Sequence, residues 1–186
     1  MRHMHLLVLL TITVAIVNGE NLLFTPNQWY ATTDNYGSDL DTTDALIVDD
    51  TLAVKFSLTA KKPNTDWPYV EAVYESKSPL SGTDSIKVTY KCDSNLVIKF
   101  NQTELGEDGL GSYAFYETTL PKSPSKWTTK SVALSSFKQP DWADSKDKEI
   151  KLNLDHSSRI YFVPNICDQT GGVASVSLKE IILIED

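Results

Sequence analysis

The sequence predicts an all-β fold, a sandwich of two facing sheets. Three observations carry this. Apolar and polar residues alternate with a period of two along much of the chain, turn-rich clusters separate the alternating runs, and no stretch holds a long 3.6-residue period. Such runs read as half-buried strands, with one face on a core and one toward water.

The first element is not part of that fold. Arg2 and two histidines precede the apolar run "LLVLLTITVAIV" (6–17), and small or permissive residues follow at Val17-Asn18-Gly19. This is the layout of a secretory signal peptide, and 12 apolar residues fall short of a membrane span. Cleavage after Gly19 is expected, giving a leader at 1–19 and one secreted domain at 20–186. Removing 19 residues from 186 leaves 167, enough for a single sizeable core.

Strands follow in order. "LAVKFSL" (52–58) puts Leu52, Val54, Phe56 and Leu58 on one face, and "SIKVTYKC" (85–92) does the same with Ile86, Val88, Tyr90 and Cys92. Leu96, Ile98 and Phe100 share a face of "NLVIKF". Further strands are expected at 69–75, 112–119, 126–134, 159–164 and 174–185. The breakers between them are "KKPNTDWP", "SKSPLSGTD", "GEDGLG", "PKSPS" and "DQTGG". One helical turn is expected within 142–155.

Charge and composition exclude several functions. Arg2 leaves with the leader, so 16 Lys and Arg face 25 Asp and Glu, a net charge of −9. An acidic surface repels phosphate backbones and anionic lipid, so neither nucleic acid nor membrane is an expected partner. His156 is the one histidine left, which rules out a two-histidine zinc site. The two cysteines, Cys92 and Cys167, form one disulfide by default in an exported protein, closing a loop worth roughly 4 kcal/mol on the chain-entropy model; two free buried thiols are the alternative. Asn101-Gln102-Thr103 is an N-glycosylation sequon.

Two carboxylate patterns bear on chemistry. Glu71 and Glu75 share a face of the 69–75 strand, the best pair for a glycan-cleaving enzyme, although a pair of acids alone is a weak signal. Asp34, Asp39, Asp41, Asp44, Asp49 and Asp50 cluster near the N-terminus. No cofactor is required, but Asp39, Asp41 and Asp44 leave room for a structural calcium ion.

Aromatic residues fall at strand ends, in loops, or on polar strand faces. A ring can stack on the flat C–H face of a sugar, while amides, carboxylates and phenols meet its hydroxyls. Several segments together resemble a known family: "QWYATTDNYGSD", "DWPYVEAVYE", "PLSGTDSIKVTYKC", "TTLPKSPSKWTTKSVALSSFKQPDW" and "GGVASVSLKEIIL". In that order they are similar to the jelly-roll carbohydrate-binding modules attached to bacterial plant-cell-wall-degrading glycoside hydrolases. The resemblance spans about residues 28–184. It implies a galactose-binding-like sandwich of two antiparallel sheets, a concave face for β-glucan-type chains, no catalysis, and often a structural calcium. Such modules usually sit beside a catalytic domain, which this sequence does not contain, and the cysteine pair is no fixed feature of theirs.

The expected function is therefore a secreted, monomeric, non-catalytic protein that binds a neutral polysaccharide. The expected contacts are Tyr30, Tyr36, Trp67, Tyr69, Glu71, Tyr113, Tyr116 and Trp142. For Trp142, delivered by the turn at Pro140, rim packing and sugar stacking both stay open. The alternatives are a small glycan-active enzyme using Glu71, and an extracellular protein-interaction sandwich.

Overall fold

The computed structural model describes residues 19–42 and 45–185. Two antiparallel sheets face each other. One has five strands in the order β1 (Trp29–Thr33), β5 (Val70–Glu75), β10 (Arg159–Pro164), β7 (Leu96–Phe100) and β8 (Tyr116–Leu120). The other runs β2 (Asp39–Asp41), β4 (Thr51–Leu58), β11 (Gly172–Ile184), β6 (Ser85–Cys92) and β9 (Ser123–Ala133), with β3 (Ile47–Val48) paired to β4. No α-helix occurs among the described residues; the helical turn expected within 142–155 is present as two short 3-10 turns, Asp147–Glu149 and Leu154–His156.

The period-two pattern sets the core. Leu52, Phe56, Ile86, Tyr90, Leu96, Ile98, Phe100, Ile160, Phe162 and Leu178 are fully buried between the sheets. Burying each such side chain contributes on the order of 1.5–3 kcal/mol. Phe137 joins this core, its ring 5.1 Å from that of Phe100. The strand expected at 112–119 begins only at Tyr116, because Gly111 and Tyr113 adopt left-handed φ values of 65° and 57° that break an extended chain.

The N-terminal segment is tied down at β11. β4 pairs with β11 only as far as Leu178, which leaves the backbone beyond it open on that side. Asn21 fills the gap: its Oδ1 accepts from the Ile181 N–H at 2.9 Å and its Nδ2 donates to the Lys179 carbonyl at 3.2 Å. The predicted leader lies outside the described residues except for Gly19. No helix among the described residues is long and apolar enough to cross a membrane.

The expected disulfide is corrected. Both cysteines are free thiols. Strand parity points Cys92 into the core, where it is 1% exposed, with Sγ 3.6 Å from Ser94 Oγ. Cys167 stands in the exposed turn after β10, where the Thr170 hydroxyl and backbone N–H groups hold its thiol below the usual range. Burial pushes the Cys92 thiol up instead.

Candidate functional site

The inward residues of the five-stranded sheet define what its other side displays. On β5, Val70, Ala72 and Tyr74 join the core, so Glu71, Val73 and Glu75 point outward. Ile160 and Phe162 do the same on β10, turning Arg159, Tyr161 and Val163 out. Strand register then aligns one continuous outer row: Tyr30, Val73, Tyr161, Lys99 and Glu117. Five strands at about 4.8 Å spacing make this row roughly 19 Å long. Beside it run Thr32 opposite Glu71, Val163 opposite Val97, and Arg159 opposite Glu75.

Charges on this face are paired but not balanced. Arg159 donates to Glu75 Oε1 from both Nε (2.9 Å) and Nη2 (2.7 Å). Lys99 Nζ lies 3.8 Å from Glu71 Oε1 and also faces Glu117 across the β7–β8 pair. Burial pushes the Glu71 carboxyl above the usual carboxylate range, and Lys99 offsets this only in part. Glu117 is raised for the same reason, helped by the nearby charge of Asp141. The Tyr161 phenol is pushed up to about 12, first by burial and then by Glu71. These groups are therefore a neutral phenol and carboxyls set around two cations.

Aromatic rings continue the face at one end. Phe115 stacks on Tyr161 with centroids 5.8 Å apart and planes 17° from parallel, and Tyr113 meets Phe115 edge-on at 5.9 Å. At the other end Trp67 is 60% exposed above Lys61, whose Nζ lies 5.5 Å from the ring centroid. Lys61 N–H donates to the Asp168 carbonyl at 2.8 Å, which ties the Trp67 loop to the turn after β10. The Asp168 carboxylate of that turn lies in the field of Lys99. Asp34 anchors the same end: its Oδ2 accepts from the Tyr69 N–H (3.0 Å) and its Oδ1 from the Tyr36 N–H (2.6 Å).

The segment after β9 widens the face on its far side. Glu117 and Lys138 exchange backbone hydrogen bonds of 2.8 and 3.0 Å, so residue 138 acts as one link of a sixth strand. Buried Pro140 then turns the chain, with the Ala143 N–H donating to the Pro140 carbonyl at 3.0 Å. Trp142 projects from this turn, 65% exposed. The core contact of this segment belongs to Phe137.

Of the other expected contacts, Tyr30, Tyr69, Glu71 and Tyr113 lie on or at the ends of this face. Tyr36 is at its margin, with its hydroxyl donating to Asp66 Oδ2 at 2.8 Å. Tyr116 packs against the core, and its hydroxyl donates to the Ile150 carbonyl at 3.1 Å, so it is a structural residue. Lys99, Phe115, Glu117, Arg159 and Tyr161 were not foreseen. The alternation of "RIYFVP" already separates Arg159 and Tyr161 from Ile160 and Phe162, and was the available signal.

Glu71 and Glu75 stand four residues apart on β5, which separates their backbones by about 13 Å, and Arg159 holds Glu75. For calcium, Asp39 and Asp41 stand exposed on edge strand β2, and Asp44 lies outside the described residues. Among the described residues no group of three or more His, Cys, Asp or Glu is placed to hold a metal ion. Asn101 Oδ1 accepts from Ser157 Oγ, Ser158 N–H and Arg159 N–H, which fixes the sequon side chain at the start of β10. A hollow of about 730 Å³ lined by Tyr116, Phe137 and Leu154 lies away from the outer face.

Solved structures with this arrangement exist. A family 11 carbohydrate-binding module from Clostridium thermocellum, in complex with a beta-1,3-1,4-mixed-linked tetrasaccharide, superposes with a TM-score of 0.56 at 19% identity, covering 85% of this chain and 89% of that one. The chain has the fold of a carbohydrate-binding module. The family 11 module of a cellulosomal cellulase from the same organism gives a TM-score of 0.56 at 20% identity, covering 86% and 88%. No family profile and no curated protein sequence matches the chain. The jelly-roll sandwich expected from the sequence is the fold observed.

Proposed function

We propose that this is a secreted, non-catalytic protein that binds a neutral polysaccharide across the outer face of the five-stranded sheet. The observation that carries the reading is the outer row itself. It sets Tyr30 and Tyr161 beside carboxylates and cations that other side chains already hold in place. The rings offer stacking surface, and Glu71, Lys99, Arg159 and Tyr161 offer fixed hydrogen-bond partners for sugar hydroxyls.

The charges favour a neutral chain. Glu71, Glu75 and Glu117 outnumber Lys99 and Arg159, and both cations are engaged by those acids. A uronate or sulfated chain would meet excess negative charge there. A β-linked glucan is the first candidate, since a module of the same fold is known in complex with a mixed-linked tetrasaccharide. Trp142 and Trp67, both exposed, would lengthen the stacking surface.

Affinity gels and calorimetry over mixed-linked β-glucan, xylan, mannan and chitin test this. Binding to a neutral member, lost in Tyr161→Ala, supports the reading. Reducing-end release that disappears in Glu71→Gln would establish an enzyme instead.

A further inference from the structure

The outer face of the six-stranded sheet carries a second, differently charged patch. Trp127 on β9 is 36% exposed there. Lys91 Nζ, from β6, lies 4.8 Å from its ring centroid, and Lys179 Nζ lies 5.9 Å away. Alternation after the buried Leu178 turns Lys179 to this face, and the β6–β11 register shift between Leu178 and Glu180 makes it the extra residue of a bulge.

Neither lysine forms an ion pair among the described residues. The neighbouring acids are engaged elsewhere. Glu180 Oε2 takes Lys87 Nζ at 3.0 Å and the Thr89 hydroxyl at 3.1 Å, while Asp93 Oδ2 accepts from the Ser175 N–H at 3.1 Å. Two ammonium groups are thus gathered around one indole without a counter-charge, in a protein with a net charge of −8 over its whole sequence. Each exposed cation–π contact offsets only about 0.5–1 kcal/mol, so an arriving anion can draw either flexible lysine off the ring. Ser177 lies opposite Lys91 in register, and the Thr89 and Thr129 hydroxyls meet at 2.9 Å nearby, giving the patch a hydroxyl-rich border.

We propose that Trp127, Lys91 and Lys179 form a second saccharide site, one that takes an acidic chain bearing a carboxylate on its sugar rings. The indole would stack on a ring and the two ammonium groups would bind its carboxylate. Two cations on an acidic protein suit such sparse charge. They do not suit a nucleic acid, whose duplex carries one charge per roughly 1.7 Å. With acidic excess on one sheet and free lysines on the other, the molecule would present opposite faces to a neutral and an acidic polysaccharide.

The test is affinity electrophoresis of the intact protein in gels containing polygalacturonate, the same polymer fully methyl-esterified, or sulfated dextran. The expected result is retardation by polygalacturonate that esterification or added salt removes. In the double variant Lys91→Gln, Lys179→Gln it weakens by about tenfold, the scale of two exposed ion pairs, and Lys91→Arg, Lys179→Arg retains it. Tyr161→Ala, on the opposite face, leaves it unchanged, which separates this site from the neutral-glycan site. The wild-type comparison of acid and ester polymers decides even where a variant fails to fold. No retardation by polygalacturonate, equal retardation by its ester, or equal retardation by sulfated dextran would each overturn the proposal, as would stronger capture by anionic-lipid vesicles.

Discussion

Glu71, which the proposed function sets among the glycan contacts, carries a cost to stability. It sits half-buried beside a lysine 3.8 Å away, too far for a strong ion pair, and burial raises its pKa. A carboxyl raised on folding destabilises the folded state wherever it must be ionised, so Glu71→Gln should melt no lower than the parent at neutral pH. The same change should weaken glycan binding about tenfold or more, the scale of a hydrogen bond to a charged group. Thermal melting and calorimetry on one preparation check both. Trp142 is a separate case. Its exposure predicts that Trp142→Ala leaves stability within about 0.5 kcal/mol, while binding falls several-fold through the loss of about 1 kcal/mol of stacking. A lowered melting curve with intact binding would return Trp142 to a packing role.

Turns decide where the elements meet. Gly171 starts the return into β11 with a φ of +65°, and a Cβ there would stand 2.5 Å from the Leu58 carbonyl oxygen. Gly171→Ala should therefore cost more than about 1 kcal/mol, read as a lower denaturant midpoint. Much of the strand set was legible because alternation is a local property: "LAVKFSL", "SIKVTYKC" and "RIYFVP" each show their buried face unaided. β2 and β3 were not legible, since two or three residues carry no period. The site was half legible. Glu71 and Tyr30 stand on faces the pattern exposes, but their partnership with Lys99 and Tyr161 depends on β10 inserting between β5 and β7, which no local pattern shows. Tyr116 misled because an aromatic beside polar residues looks alike whether its hydroxyl meets a ligand or, as here, the Ile150 carbonyl. The cysteines misled because the compartment argument is silent on where each thiol points.

For the whole molecule, the outer face makes stability depend on pH in a definite direction. Glu71 and Glu117 have pKa values raised by folding, so the folded protein holds protons that the unfolded chain releases. Their stabilising effect is complete below the ordinary glutamate value of 4.5 and is lost as pH rises through their raised values. Asp34 acts oppositely. Hydrogen bonds from Ser38, Tyr36 and Tyr69 outweigh its burial and lower its pKa, so its contribution holds above the ordinary aspartate value of 3.8 and is lost as pH falls through the folded one. The combined contribution of these three groups is accordingly greatest between pH 3.8 and 4.5, and Glu71→Gln should flatten the decline in melting temperature as pH rises above that window. Glycan binding on the outer face is tested most directly by a calorimetric titration with a mixed-linked β-glucan oligosaccharide, repeated on Tyr161→Ala. Saturable binding in the micromolar to millimolar range that Tyr161→Ala abolishes is the predicted result. Absence of binding to this and every other neutral glycan, by a protein whose melting curve shows it folded, would contradict it.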